Sequence, residues 1–212
     1  MGETSGDARI GGNPVLQFDG NQLLTYDTNG TQGSTESYGM TGVLVFRQQA
    51  TSTGNTSGFS GLFGSTRSGM SVTYRDNYSY LYLSNRIGSQ SNSWNIANST
   101  MPNLSSINPV ILFVRMGHSP YGAVASYINF NQNNSQYFIQ SNGNPSIAYT
   151  APSPLHGMSL GANYNYGLTN SAYRLHGEIG EFLYFDSMLN NFNCNIIGNY
   201  LATKWSLNWE DI

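Results

Sequence analysis

Short runs of apolar or alternating residues, separated by clusters of Gly, Asn and Ser, recur from one end of the chain to the other. Val15–Phe18, Leu23–Tyr26, Thr41–Arg47, Gly61–Gly64, Ser71–Tyr74, Tyr78–Ser84, Val110–Arg115, Ala123–Asn129, Gln136–Gln140, Met158–Ala162 and Glu178–Phe185 are such runs. Period-two alternation bounded by turn residues predicts strands, and many short strands in succession predict an all-β sandwich or barrel. One stretch breaks the pattern. Over Asn191–Trp205, Phe192, Ile196, Ile197, Tyr200, Leu201 and Trp205 recur at spacings of three to five, which predicts a one-faced helix. Asn190 or Asn191 can cap it. Gly198 inside it costs about 1 kcal/mol relative to Ala, so close packing against a sheet is the expected reason for it.

The alternation sharpens at Ile179–Phe185. Ile179, Glu181, Leu183 and Phe185 fall on one face of an ideal strand, and Gly180, Phe182 and Tyr184 on the other. Two mostly apolar faces predict an inner strand with the opposite sheet on one side and the terminal helix on the other. Glu181 is then the odd residue, and a carboxylate there must reach water or a partner, since burying it alone is costly.

Composition narrows the function classes. At 212 residues the chain is long enough for one sandwich that hides roughly 70% of its unfolded surface, so no disulfide brace is needed. We read an arm at 1–12, polar and Gly-rich, and a single domain at 13–212. Only 9% of residues are charged, Lys204 is the sole lysine and the net charge is −3, so nucleic-acid binding lacks its basic footprint. The surface is instead neutral and hydrogen-bonding, which suits glycans and wet protein contacts. Cys194 is the single cysteine. The opening residues lack a signal-peptide pattern, no run approaches a membrane span, and Gly6 stands where a myristoylation motif wants Ser or Thr. Cytoplasmic synthesis without membrane insertion is the expectation.

Leu155-His156-Gly157-Met158-Ser159-Leu160-Gly161-Ala162, then a polar loop, then Leu175-His176-Gly177-Glu178-Ile179-Gly180-Glu181-Phe182-Leu183-Tyr184-Phe185, then a helix ending Tyr200-Leu201-Ala202-Thr203-Lys204-Trp205-Ser206-Leu207, resembles the closing segment of laminin G-like jelly-roll domains of the concanavalin A-like kind. Pro14-Val15-Leu16-Gln17-Phe18-Asp19-Gly20 resembles their opening strand, and Gly61-Leu62-Phe63-Gly64-Ser65 fits their middle. The resemblance implies an all-β, two-sheet antiparallel jelly-roll sandwich with one C-terminal α-helix packed on it. It implies a scaffold rather than a reaction, because lectins, adhesion modules and some glycosidases share it, so function rests on sites.

Catalysis of the glycosidase kind needs two carboxylates facing one groove. The Glu-x-Asp-x-Glu run that serves sandwich glycosidases is missing, and Glu178 and Glu181, three apart, are expected on opposite faces. His118, His156 and His176 fall at predicted strand ends without a nucleophile motif. We expect no enzyme. Asp19, Asp27, Asp76 and Asp186 are scattered, with Asp19 and Asp186 read as turn residues, so no metal and no cofactor are expected. Aromatic residues give the sharper candidates. Tyr78, Tyr80 and Tyr82 share a strand face and either stack sugar rings or pack between the sheets. Trp94 in a Ser/Asn-rich loop, and Tyr164 and Tyr166 in a variable one, are the other candidate ligand contacts. The sequons at Asn29, Asn55, Asn77, Asn98, Asn103 and Asn133 are as many as chance yields in a chain this rich in Asn, Ser and Thr.

The expected function is a non-catalytic surface module, foremost a structural or decoration component of a virus or phage particle with a lectin-like fold. Its partners would be other structural proteins of an oligomeric assembly, and its place the particle surface after cytoplasmic assembly. The alternative is a carbohydrate-binding or adhesion module for a cell-surface glycan, exported by a route without a signal peptide. A sandwich glycosidase is the third reading.

Overall fold

The computed structural model describes residues 9–26, 39–48, 59–65, 71–75, 80–87, 90–96, 109–118, 124–132, 135–142, 158–162, 173–185 and 187–212. In chain order these form β1 (Arg9–Ile10), β2 (Asn13–Pro14), β3 (Leu16–Asp19), β4 (Leu24–Tyr26), β5 (Gly39–Gln48), β6 (Phe59–Ser65), β7 (Ser71–Arg75) and β8 (Tyr80–Ile87). They continue with β9 (Gln90–Ile96), β10 (Val110–His118), β11 (Val124–Gln132), β12 (Ser135–Asn142), β13 (Met158–Leu160), β14 (His176–Phe185) and α1 (Asn191–Trp205). Two six-stranded antiparallel sheets result, one in the order β12-β11-β10-β5-β14-β3 and one in the order β4-β13-β6-β7-β8-β9, with β1 and β2 as a separate ribbon.

The first sheet is apolar on both faces, and that sets the layers. Its inner residues Leu44, Phe46 and Leu112 are buried, and Phe182 meets Phe63 of the second sheet at 5.1 Å between ring centroids. Gln48 Nε2 donates to Ser60 Oγ across the same gap at 3.0 Å, so a buried polar pair joins the sheets at that end. The outer residues Val43, Val45, Ile111 and Phe113 pack under α1 through Cys194, Leu201, Ala202 and Trp205. An inner strand β14 between the opposite sheet and the helix is what its alternation predicted.

The helix begins where Asn190 Oδ1 accepts from Asn193 N–H at 2.9 Å, filling a donor that a first turn leaves open. It ends at Ser206 in the left-handed region, with Leu207 N–H donating to the Ala202 carbonyl at 2.9 Å. The segment before it is held by two buried side chains. Thr41 Oγ1 donates to the Ser187 carbonyl and accepts from Leu189 N–H, both at 2.9 Å. Arg115 Nη1 donates to the Leu189 carbonyl at 3.0 Å and to Asn191 Oδ1 at 2.8 Å.

Four expectations need correction. Of the expected stripe of α1, Leu201 and Trp205 are buried and Ile197 packs against them, but Phe192, Ile196 and Tyr200 are exposed, and Cys194, Gly198 and Ala202 complete the buried face instead. Small residues win because the helix lies close: a Cβ on Gly198 would run into the Trp209 indole, whose ring in turn meets Phe113 at 5.0 Å. Second, β14 carries a bulge between Ile179 and Glu181. Ile179 pairs with inner Phe46 and Glu181 with outer Val45, so Gly180 is the extra residue and Ile179 does not share a face with Glu181. Third, β9 is a strand where the Ser/Asn-rich sequence around Trp94 predicts a loop. Fourth, the arm at 1–12 is not wholly separate. Ile10 is buried in the cluster under α1, and Asn13 Nδ2 donates to the Lys204 carbonyl at 2.6 Å, so residues 9–14 are held by the chain's own helix.

Candidate ligand-binding face

The faces of the second sheet follow from its register. Ser60 and Phe63 reach the first sheet, and they pair with Tyr74 and Val72 of β7, β6 being bulged at Leu62 between them. Positions 72 and 74 are thus inner positions, and their partners Leu83 and Leu81 in β8, then Trp94 and Ile96 in β9, continue that face. Tyr80 and Tyr82 fall at alternate positions, paired with Arg75 and Thr73. Tyr82 is also paired with Asn95, and Ser84 with Ser71 and Ser93. The outer positions of β7, β8 and β9 therefore read as hydroxyl, amide, arginine and tyrosine, and the inner positions as aliphatic and aromatic from Val72 and Tyr74 to Trp94 and Ile96, turning to amide at Asn85, Asn92 and Gln90. Trp94 belongs to the opposite face from Tyr80 and Tyr82, so these three candidates do not converge. Tyr78, Tyr164 and Tyr166 lie outside the described residues.

The carboxylates are placed by the first sheet. Because of the bulge, Glu178, opposite Arg47, and Glu181, opposite Val45, stand on the same outer face, where an unbulged strand would have set them apart. Each has its own partners. Arg47 Nε donates to the buried Glu178 carboxylate. Glu181 Oε2 accepts from Trp205 Nε1 at 2.7 Å and from Lys204 Nζ at 3.0 Å. The hydrogen bond that Lys204 donates to Glu181 holds the ammonium proton more tightly than usual. Glu181 is thus the paired carboxylate that its apolar surroundings required.

Asp19 is a turn residue, its Oδ1 accepting from Asn21 N–H at 2.8 Å. His176 lies in β14 opposite Asp19, and His118 at the end of β10. Asp27, Asp76, Asp186 and His156 lie outside the described residues. Among the described residues no three His, Cys, Asp or Glu side chains come together as metal ligands do, and no helix is long and apolar enough to cross a membrane. The sequence reading missed Arg115, whose burial beside Cys194 organises the start of the helix. A lone arginine closing the apolar run Val110–Val114 was the available signal.

No protein-family model matches the chain, and no curated protein matches it. Solved structures match in fold. Domains LG4-5 of the mouse laminin α1 chain superpose with a TM-score of 0.54 at 10% identity, over 88% of this chain and 45% of that one. The enzymatically active domain of tailspike protein 2 from bacteriophage CBA120 gives 0.53 at 13%, over 91% and 28%. The binding domain of botulinum neurotoxin DC, in complex with rat synaptotagmin II, gives 0.50 at 11%, over 84% and 42%. The chain spans less than half the length of each. The fold is the concanavalin A-like, laminin G-like jelly roll that the segment from Leu155 to Leu207 resembles.

Proposed function

We propose that the chain is a non-catalytic binding module that engages carbohydrate through the outer face of its second sheet. The observation that carries this reading is the register of β7, β8 and β9. It groups Tyr80 and Tyr82 with Thr73, Ser84, Ser93 and Asn95 on the face away from the core. Tyrosine rings stack on the apolar faces of sugars, hydroxyl and amide neighbours match sugar hydroxyls, and Arg75, opposite Tyr80, adds a charged donor to the same face. The non-catalytic part is supported by the engagement of Glu178 with Arg47 and of Glu181 with Lys204 and Trp205. A carboxylate held in an ion pair is poorly placed to act as the proton donor of glycoside hydrolysis.

A second reading, compatible with the first, makes the module a structural or decoration component of a virus or phage particle, reaching the particle surface after cytoplasmic assembly. It is favoured by the likeness to a phage tailspike domain over 91% of this chain. Many copies on one particle would also turn weak single-site sugar contacts into useful avidity.

The test is a glycan array probed with the protein displayed multivalently, followed by Tyr80→Ala and Tyr82→Ala. Binding to a defined glycan class, lost by at least about tenfold in either variant with an unchanged melting temperature, is expected. An array without hits, or hits that survive both substitutions, defeats the carbohydrate reading. Antibody labelling of intact particles by electron microscopy tests the second, which fails if the chain is found only outside them.

A further inference from the structure

Phe192, Ile196 and Tyr200 leave 72%, 55% and 55% of their surfaces to solvent. At about 100° per residue they form one stripe on the side of α1 opposite its buried residues. A globular protein has no use for a helix whose largest apolar side chains face away from its core, unless another surface covers them. The side chains of the stripe carry no charge themselves, and one ammonium, that of Lys204, borders it 5.6 Å from the centroid of the Tyr200 ring. Lys204 is the only charged residue of α1 and is engaged with Glu181 on the sheet side. Its polar neighbours are already satisfied within the chain: Thr203 Oγ1 donates to the Asn199 carbonyl and Asn199 Nδ2 to Asp211 Oδ1, both at 2.9 Å. Drying this surface therefore leaves few hydrogen bonds unmade.

We propose that the occupant is a second copy of this chain, bound through an antiparallel α1–α1 contact about a two-fold axis at Ile196. The stripe has the symmetry that such a contact demands, since Phe192 and Tyr200 lie four residues either side of Ile196. The axis sets Ile196 on the partner's Ile196, and Phe192 on the partner's Tyr200, twice over, as an isologous interface requires. Antiparallel helices also oppose their dipoles favourably, and no like charges meet. From their exposures, the three residues of both copies remove roughly 700 Å² from water. Met188, 40% exposed just before the helix, brings the total toward the roughly 1,000 Å² at which specific interfaces begin. The dimer is weak, and it forms where copies are crowded. The contact lies on the first sheet's side of the sandwich, away from Tyr80 and Tyr82, so it does not depend on the ligand reading.

Sedimentation velocity on the intact protein, from micromolar to near-millimolar concentration, should reveal a monomer–dimer equilibrium. Ile196→Lys, which sets two ammonium groups on the axis, should weaken it by about tenfold or more with an unchanged melting temperature. Phe192→Lys and Tyr200→Glu should each weaken self-association, and mixing the two should restore a heterodimer, because residue 192 meets the partner's residue 200. A protein monomeric throughout, a dimer indifferent to Ile196→Lys, or a mixture that does not recover overturns the proposal. So does tight binding of wild type, but not Ile196→Lys, to neutral phosphatidylcholine vesicles without self-association, which assigns the stripe to a lipid surface. Tyr82→Ala should leave the dimer intact, so failure of the carbohydrate reading is read separately.

Discussion

Glu178 and Glu181 face the same way from β14 although they are three positions apart, because Gly180 is inserted without a partner in β5. The bulge brings Glu181 under the helix, where Trp205 and Lys204 receive it. The bulged residue has to be glycine for a reason of space, since a Cβ there would lie 2.8 Å from Trp205 Cη2.

Gly180→Val should therefore push Trp205 out of its place and destabilise the protein by about 1–3 kcal/mol. Thermal unfolding followed by near-ultraviolet circular dichroism, which reports the packing of the indole, checks both the loss and its site.

Glu181→Ala removes the acceptor of a buried indole N–H as well as the lysine's partner. Leaving a buried donor unmet costs about 1–3 kcal/mol. Glu181→Gln keeps an acceptor oxygen for Trp205 and should lose less. Urea denaturation of the two variants side by side gives the difference.

Arg115→Ala should cost about 3 kcal/mol, since it deletes two hydrogen bonds from a charged donor and empties a buried site. It should also open the start of α1. The Cys194 thiol beneath is buried, and burial raises its pKa against a smaller opposing effect of Arg115. In the wild type its reaction with a disulfide reagent should proceed only as fast as the protein unfolds. A large rise in that rate for Arg115→Ala, beyond the change in global stability, is the expected result.

Stability should fall as pH rises through the alkaline range. Lys204, through its bond to Glu181, and Cys194, through burial, both hold protons more tightly in the native state than in the unfolded one. In the window above their unfolded values the unfolded chain binds fewer protons than the native one, so unfolding becomes easier with each step upward. The contribution is complete below that window and gone above the native values. Lys204→Met should lower the neutral part of a stability profile measured by denaturant titration and flatten its alkaline limb, so that the two profiles converge at high pH.

The strands that alternate between core and solvent were legible because one face of each is apolar, and β5, β10 and β14 stood out because both faces are. β9 was not legible. Its sequence Gln-Ser-Asn-Ser-Trp-Asn-Ile has apolar residues only at Trp94 and Ile96, and as an edge strand it has one neighbour rather than two to satisfy. The helix was found in its full extent, but of its expected stripe only Ile197, Leu201 and Trp205 face the core. Periodicity weighs side chains by size and apolarity, whereas the space between α1 and the sheet admits Gly198, Ala202 and Cys194 more readily than Phe or Tyr. The bulge at Gly180 escaped for a related reason. A glycine in a strand hints at irregularity, but only the partner strand fixes which residues change sides. Among the candidate contacts, alternation placed Tyr80 and Tyr82 on one face, and the register of three strands was needed to separate them from Trp94.

Residues 9–14 and 206–212 both lie against α1, the first through Ile10 and Asn13, the second through Trp209 and through Asn195, whose Oδ1 accepts from Ile212 N–H at 3.0 Å. A tensile load applied between these two ends would fall first on the helix and its clasp, not on the ladders of either sheet. The clasp would yield by peeling, a few contacts at a time, whereas the sheets would have to shear many hydrogen bonds at once. Under tension the molecule should give way at its seam and keep its sandwich.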